Sequence, residues 1–245
     1  MKFISTVIVF DKGEVSESAG WKAAYDAYKT AILQMVNPPN AADFRIKPIR
    51  NWTNKKTGKR ESSRNGVGPI KKQFLDRMKN LGWKWEAPLS LEDHIQSINL
   101  KEAFLNYPEY TKLAEPLNTS FGNLDFWLTS GDKRVAIEWE TGNISSSHRS
   151  VNKLCLAILA GTIDIAVVVV PSGKLAGHVT DRIGNLHELM PYFAFWRHAT
   201  DKVKSGLLVI SEVEHDELDD SLQYLGVINA GRGKKSQKAA KRRRK

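Results

Sequence analysis

Apolar residues recur along this chain with two different spacings, one typical of helices and one typical of strands. In residues 17–36 they lie three and four positions apart, which predicts an amphipathic helix ending at NPPN. Pro69 begins a second predicted helix that Gly82 ends. Residues 163–170, IDIAVVVV, are continuously apolar and β-branched, which predicts a strand buried on both faces. Residues 3–10 have the composition of a further strand.

The middle of the chain is predicted to form a β-hairpin followed by a crossover. Two runs, NLDFWLT (123–129) and RVAIEWE (134–140), are joined by the turn sequence SGDK. A helix over about 146–160 then leads into the apolar strand, and this order forms a parallel crossover. We therefore expect an α/β fold, with a central mixed β-sheet flanked by helices on both sides and with residues 1–230 as one domain.

The composition is that of an ordinary soluble, globular protein, since 41% of the 245 residues are hydrophobic and 26% are charged. No apolar run approaches the ~18 residues that a membrane helix needs, so we expect no membrane association. The first residues, MKFISTVIVF, are not followed by a small-residue cleavage site, which favours a strand over a signal peptide. The single cysteine, Cys155, excludes an internal disulfide and fits a reducing cytoplasm.

The net charge of +10 is concentrated in two segments. Residues 231–245, GRGKKSQKAAKRRRK, hold nine of the 37 basic residues and no acidic one, and we predict a disordered basic tail there. Residues 44–72 hold ten basic residues against the single Glu61. The remainder of the chain carries about −8. Two basic segments beside an acidic remainder are typical of a protein that binds a polyanion and also holds a cation.

Three carboxylates converge on the end of the predicted hairpin. Because side chains alternate along a strand, Glu138 and Glu140 share one face. A turn over 130–133 would pair residue 129 with 134 and would bring Asp125 opposite Glu138. Such a group of oxygen ligands suits Mg²⁺ or Mn²⁺ rather than zinc. Metal-assisted hydrolysis of a phosphodiester uses a site of this kind.

Two other interpretations of these carboxylates remain open on spacing alone. Glu138 and Glu140 could form the exposed face of an edge strand, paired with Lys133 and Arg134. A glycosidase pair would need its two carboxyl groups across a gap of roughly 5–9 Å rather than adjacent on one strand, so that interpretation fits poorly.

Five segments, in matching order, resemble the BamHI family of type II restriction endonucleases. They are NGVGPIK (65–71), GWKWEAPL (82–89), EWETGNISSSHRSVNKL (138–154), GTIDIAVVVVP (161–171) and HVTDRIGNLHELMPYF (178–193). The resemblance covers roughly half of the chain and does not extend over 1–60, 90–120 or 198–245. It implies a restriction-endonuclease-like core and a Mg²⁺-dependent (Mn²⁺ may substitute) site-specific deoxyribonuclease of the bacterial cytoplasm. Residues 90–120 look like an insertion between two active-site carboxylates.

The resemblance also implies roles for individual residues. Asp125, Glu138 and Glu140 match the family's acidic catalytic residues, and Glu86 matches a fourth carboxylate that approaches the metals. Asp125, Glu138 and Glu86 are therefore the expected metal ligands. Related nuclease folds usually place a lysine where Glu140 stands, whereas this family has glutamate there, and this chain agrees with the family.

A second set of matches concerns recognition of double-stranded DNA. The residues that match groove-facing or DNA-contacting positions are Asn143, Ser145, Arg149, Asp181, Arg182 and Lys71. Arginine can bind the O6 and N7 atoms of guanine, aspartate can accept from the amino group of cytosine, and asparagine can pair with either base. Without the resemblance, Asp181 and Arg182 would be interpreted as a helix cap and an ion pair.

These matches predict a homodimer that cuts the palindrome GGATCC after the first G and leaves 5′ overhangs. The second half of the helix over 146–160, LCLAILA, is apolar nearly all round, which favours packing against a second subunit. The main alternative is a sequence-specific DNA-binding protein whose carboxylates hold a structural cation without turnover. A non-specific or repair nuclease is a third possibility.

Overall fold

A computed structural model describes residues 1–96 and 119–226. In chain order its strands are β1 (Lys2–Lys12), β2 (Arg45–Ile46), β3 (Arg50–Thr53), β4 (Arg60–Ser63), β5 (Lys84–Ser90), β6 (Ser120–Ser130), β7 (Lys133–Trp139), β8 (Ile165–Pro171), β9 (Gly206–Glu214) and β10 (Glu217–Leu218). Its α-helices are α1 (Ala19–Leu33), α2 (Val67–Asn80), α3 (Glu92–Gln96), α4 (Ile144–Leu159), α5 (Gly173–Ala176), α6 (Leu186–Leu189) and α7 (Phe193–Ala199).

Six strands form one mixed sheet in the order β1-β9-β8-β7-β6-β5. The central strands β7, β8 and β9 are parallel, and the remaining pairings are antiparallel. All seven residues of β8 are buried, as its apolar run predicted. The hairpin β6–β7 has the predicted register, with Thr129 opposite Arg134. Its loop is tighter than expected because Ser130 also pairs with Lys133.

Each face of the sheet is covered by helices, which confirms the predicted fold class. Along β7, Val135 and Ile137 pack into one core with residues of α1 and α2. Ala136, between them, packs into the second core with residues of α4 and α7. Period-two alternation therefore divides each central strand between two hydrophobic cores.

The helix α4 begins two residues earlier than predicted, because the side chain of Asn143 caps it by accepting from the N–H of Ser146 at 3.1 Å. Most of its apolar second half is covered within the subunit, since Leu154, Cys155 and Ile158 are buried in the second core, whereas Leu159 is exposed. The apolar character of α4 therefore no longer argues for a partner subunit.

The basic segment contains a feature that the sequence did not predict, the two-stranded ribbon β3–β4. Seven of its eight strand residues are exposed, so it has no apolar alternation by which it could be recognised. Most of the predicted insertion at 90–120 and all of the basic tail lie outside the described residues. In the two parts that are described, no helix is long and apolar enough to cross a membrane.

Candidate active site

Asp125 lies where strands β6 and β7 separate. The last pair of the hairpin ladder is Phe126 opposite Ile137, and continuing this register puts Asp125 opposite Glu138, as predicted. Asp125 Oδ2 then accepts a hydrogen bond from the N–H of Trp139 at 2.8 Å. The carboxylate of Asp125 therefore supplies a hydrogen-bond acceptor to a backbone N–H at the end of the hairpin, and this contact fixes the position of Asp125.

Glu86 on β5 occupies the matching position on the other side of Asp125. The pairs Trp85–Phe126 and Ala87–Leu124 flank it and place it opposite Asp125. Glu86 is exposed and has a φ of 49°, a left-handed conformation that glutamate rarely adopts. The register therefore aligns Glu86, Asp125 and Glu138 in one row across three adjacent strands.

Glu138 is buried, with 6% of its surface exposed, and it forms an ion pair with a residue that the sequence analysis did not select. Lys153 Nζ, from α4, donates to Glu138 Oε1 at 2.5 Å and to the carbonyl oxygen of Asn123 at 2.9 Å. Burial, and then the charge of Asp125, raise the pKa of Glu138 to about 7, while the charges of Lys153 and Lys71 oppose this shift.

Asp125 has its own cation. Lys71 Nζ, from α2, donates to Asp125 Oδ1 at 2.6 Å, and both side chains are largely buried. The lysine that the resemblance placed near DNA therefore contacts one of the predicted catalytic carboxylates here. Two carboxylates and two ammonium groups balance the charge of this centre.

Glu140 lies one residue beyond the end of β7, where strand alternation no longer sets the direction of its side chain. Its N–H donates to the carbonyl of Val169 at 3.0 Å, and only 5% of its surface is exposed. It borders a small, mostly apolar cavity together with Val67 and Ile70 of α2. Over residues 1–96 and 119–226, no group of three or more acidic, histidine or cysteine side chains is arranged so that it could hold a metal ion.

A cleft of about 600 Å³ opens beside Glu138, between β6 and α4. Its lining includes Lys153, Arg149, Ser150 and Asn152, all from α4. Lysine, arginine, serine and asparagine side chains all donate hydrogen bonds, so the cleft presents donors and positive charge next to a buried carboxylate. A phosphate group fits this chemistry.

The predicted base-reading residues are exposed at two places that lie side by side. Asn143, Ser145 and Arg149 are exposed at the start of α4, and Asp181 and Arg182 are exposed on the loop before α6. Asp181 has a φ of 64°, and Arg182 makes only a 3.5 Å contact with Glu188. The structure thus brings together the two groups that the resemblance assigned to recognition.

Gly184 makes this approach possible. A Cβ at residue 184 would lie 2.5 Å from Ile144 Cδ1 and 3.1 Å from Ser147 Oγ, so any larger residue would force the Ile144 side chain and the first turn of α4 to shift. Asn65 anchors the start of the same loop: it is fully buried, and its side chain donates to the carbonyls of His178 and Lys47. Asn65 is the first residue of NGVGPIK, and the resemblance of that segment to the family was the available signal for it.

The mixed sheet, the two helical layers and the acidic strand ends define a protein of the restriction-endonuclease-like fold class. Among solved structures the chain resembles the restriction endonuclease BglII complexed with a DNA 16-mer, with a TM-score of 0.52, over 91% of this chain and 86% of that chain. At 9% sequence identity, this likeness shows the fold alone.

Sequence comparison identifies the family. The family model for restriction endonuclease BamHI matches residues 1–232. The type II restriction enzyme OkrAI of Oceanobacter kriegii is 34% identical over 232 residues, which cover 95% of this chain and 98% of OkrAI. The type II restriction enzyme BamHI of Bacillus amyloliquefaciens is 35% identical over 171 residues, covering 69% of this chain and 67% of that enzyme. The chain therefore belongs to the BamHI family and is a type II restriction endonuclease.

Proposed function

We propose that the enzyme is a Mg²⁺-dependent homodimer of the bacterial cytoplasm that cleaves double-stranded DNA at G/GATCC and leaves 5′ overhangs. The observation that carries this proposal is that a proposed cutting group and a proposed reading group line the same cleft. Glu138, the second-last residue of β7, and Arg149 both border it, and Asn143 follows Glu138 by only five residues at the start of α4. One rigid strand–helix unit therefore presents both groups to one DNA strand.

The carboxylates suit the metal. Asp125 and Glu138 each accept a hydrogen bond from an ammonium group at 2.5–2.6 Å, and this preference for positive charge supports a cation site. We assign Asp125 and Glu138 as ligands of Mg²⁺, for which Mn²⁺ would substitute. Glu86, in the same row, would have to move towards them to complete the set, since these side chains do not form a three-residue metal site in the described structure. When bound, such an ion polarises the phosphate and lowers the pKa of the attacking water.

The protein groups have separate tasks in this proposal. Glu140 orients the attacking water or accepts its proton, because it is the remaining carboxylate at the strand end. Lys153 binds the phosphate from the cleft that it lines. Burial of Glu138 excludes bulk water from the ligand oxygens and strengthens their interaction with a cation.

The proposed target follows from the exposed polar side chains. Asp181 and Arg182 would read an outer G·C pair, Asn143 the next pair, and Ser145 with Arg149 the innermost pair. All five residue types stand at positions that match the family, and GGATCC is the target that these matches predict. A two-fold enzyme reads a palindrome, so each subunit specifies one half-site.

A patch of exposed apolar side chains supports the proposed dimer. Met190, Tyr192 and Phe195 are 46%, 47% and 61% exposed, which is unusual for such large residues close together in sequence. The ring of Tyr192 packs edge to face against His148 of α4 with centroids 4.3 Å apart, so the patch is continuous with that helix. Light scattering at micromolar concentration without DNA should give the mass of two subunits, and a monomer would contradict the dimer.

Cleavage of a supercoiled plasmid with one GGATCC tests the proposed function. We expect linearisation in Mg²⁺, none in EDTA, and strong discrimination against single-base variants of the site. Cutting at other sequences would refute the target but not the metal-dependent nuclease.

The alternative, a DNA-binding protein without turnover, is favoured by one observation, since the carboxylates are already neutralised by lysines. A gel shift without cutting in Mg²⁺ would support that alternative.

A further inference from the structure

The ammonium group of Lys153 contacts the oxygens that a divalent cation would need. Lys153 has only 12% of its side chain exposed, and its Nζ contacts Glu138 Oε1 and the carbonyl oxygen of Asn123. Carboxylate and carbonyl oxygens are also the preferred ligands of Mg²⁺ and Ca²⁺. A lysine and a divalent cation would therefore compete for the same atoms.

Repulsion between like charges favours the loss of one ammonium group. Lys153 Nζ contacts Glu138, and Lys71 Nζ contacts Asp125. A divalent cation bound to the same oxygens would repel both ammonium groups at close range, where water screens charges weakly. Moving one ammonium group away from these oxygens would therefore favour cation binding.

Lys153 is the lysine that borders the cleft. It lines this space of about 600 Å³, whereas Lys71 is not among the residues that line it. The lysine side chain is flexible and carries its charge at its end, so rotation would move the ammonium group into the cleft beside Arg149. Two cations there would attract an anion of the DNA backbone.

We propose that Lys153 is the resident counter-ion of Glu138 in the cation-free enzyme, and that a divalent cation displaces its ammonium group into the cleft, where a DNA phosphate receives it. This inference rests on the proposed function. It makes Lys153 a positioning residue that couples cation binding to DNA binding. Because such coupling is reciprocal, DNA should tighten cation binding and the cation should tighten DNA binding.

Calorimetric titration of the full-length enzyme with Ca²⁺ tests the competition directly. In Lys153→Gln, a neutral amide can still donate to Glu138 and Asn123 but no longer opposes a cation. Without DNA, this variant should bind Ca²⁺ about tenfold or more tightly than the wild type, and a duplex with the cleaved site should tighten wild-type binding by a similar factor but variant binding only about twofold. Equal or weaker Ca²⁺ binding by the DNA-free variant would overturn the proposal.

Lys22→Gln is the matched control, because Lys22 also forms an ion pair, with Glu17 at 3.2 Å, but is 61% exposed. It should bind Ca²⁺ as the wild type does. If the wild type with duplex fails to bind Ca²⁺ at all, the proposed metal site itself is wrong. If it binds and only the variant's gain is missing, the role of Lys153 alone is refuted.

Amine labelling of the wild type gives a test that does not depend on the fold of a variant. Reductive methylation followed by mass spectrometry should label Lys153 slowly in EDTA, several-fold faster in saturating Ca²⁺, and slowly again when a duplex is added. Lys22 should be labelled equally under all three conditions. Unchanged labelling of Lys153 in saturating Ca²⁺ would show that its ammonium group is not displaced.

Discussion

The carboxylates of the candidate active site and the side chains proposed to read DNA lie close in sequence but in opposite surroundings. Asp125 and Glu138 are largely buried and each contacts an ammonium group. Asn143, Arg149 and Arg182 are exposed, and the contact that Arg182 makes is long at 3.5 Å. The carboxylates are therefore paired with charges inside the protein, whereas the side chains proposed to read DNA remain open to solvent.

This difference follows from the cost of removing charge from water. A buried carboxylate without a counter-charge is expensive, and here lysines from α2 and α4 supply that charge to Asp125 and Glu138. Exposed arginine and aspartate side chains have no such cost and keep their donors and acceptors available for bases. Substitutions in the two regions should therefore have different consequences.

The largest expected effect is on catalysis. Glu138→Ala and Asp125→Asn each remove a proposed metal ligand, and because such an ion supplies several kcal/mol of transition-state stabilisation, plasmid cleavage should fall by roughly 10³-fold or more. DNA binding measured by gel shift in Ca²⁺ should be preserved, since the reading residues are untouched. Efficient cleavage by Glu138→Ala would remove the metal-site argument.

The second effect is on stability and depends on pH. The pKa of Glu138 is raised to about 7, above the ordinary carboxyl value that it has when unfolded. Between these two values the folded state binds more protons, so this group makes the metal-free protein less stable as pH rises, by ~3 kcal/mol at most.

Glu138→Gln cannot ionise and should lose this dependence. In EDTA, the melting temperature of the variant should gain on that of the wild type as pH rises from about 5 to 8. Other carboxylates, such as Asp164 and Asp216, have lowered pKa values and titrate at lower pH. They are present in both proteins, so their effect on the difference between the two melting temperatures cancels. A constant difference between the two melting curves would show that Glu138 is not the titrating group.

A third effect tests recognition. Arg182→Ala should lower the preference for GGATCC over variants of its outer base pair by about 1–3 kcal/mol, the worth of one good bidentate contact. Folding stability should change little, because the contact with Glu188 is long and exposed. Cleavage rates on matched duplexes measure the preference, and unchanged discrimination would remove Arg182 from the reading set.

The sequence predicted those parts of the site that local rules determine. The SGDK turn and strand alternation were sufficient to place Asp125 opposite Glu138, and β8 was evident from its unbroken apolar run. The partner of Glu138 was not predictable, because Lys153 reaches it from another element and no spacing rule connects the two. The prediction that Glu138 and Glu140 share one face assumed that alternation continues to residue 140, whereas β7 ends at Trp139.

The smallest effect concerns the basic segments, which differ from both regions above because they have charge but no proposed base contacts. Deleting 231–245 removes nine cations, and Lys55→Gln with Lys56→Gln removes two near the tip of the ribbon β3–β4. Each cation that contacts a phosphate adds about 0.9 to the slope of binding affinity against salt concentration, whatever the sequence. Both changes should therefore flatten that slope and leave the cleaved sequence unchanged.

Gel shifts over a range of NaCl concentrations measure the slope, and sequencing of the cut ends checks the site. An altered site after deletion of the tail would mean that it reads bases as well as binding the backbone.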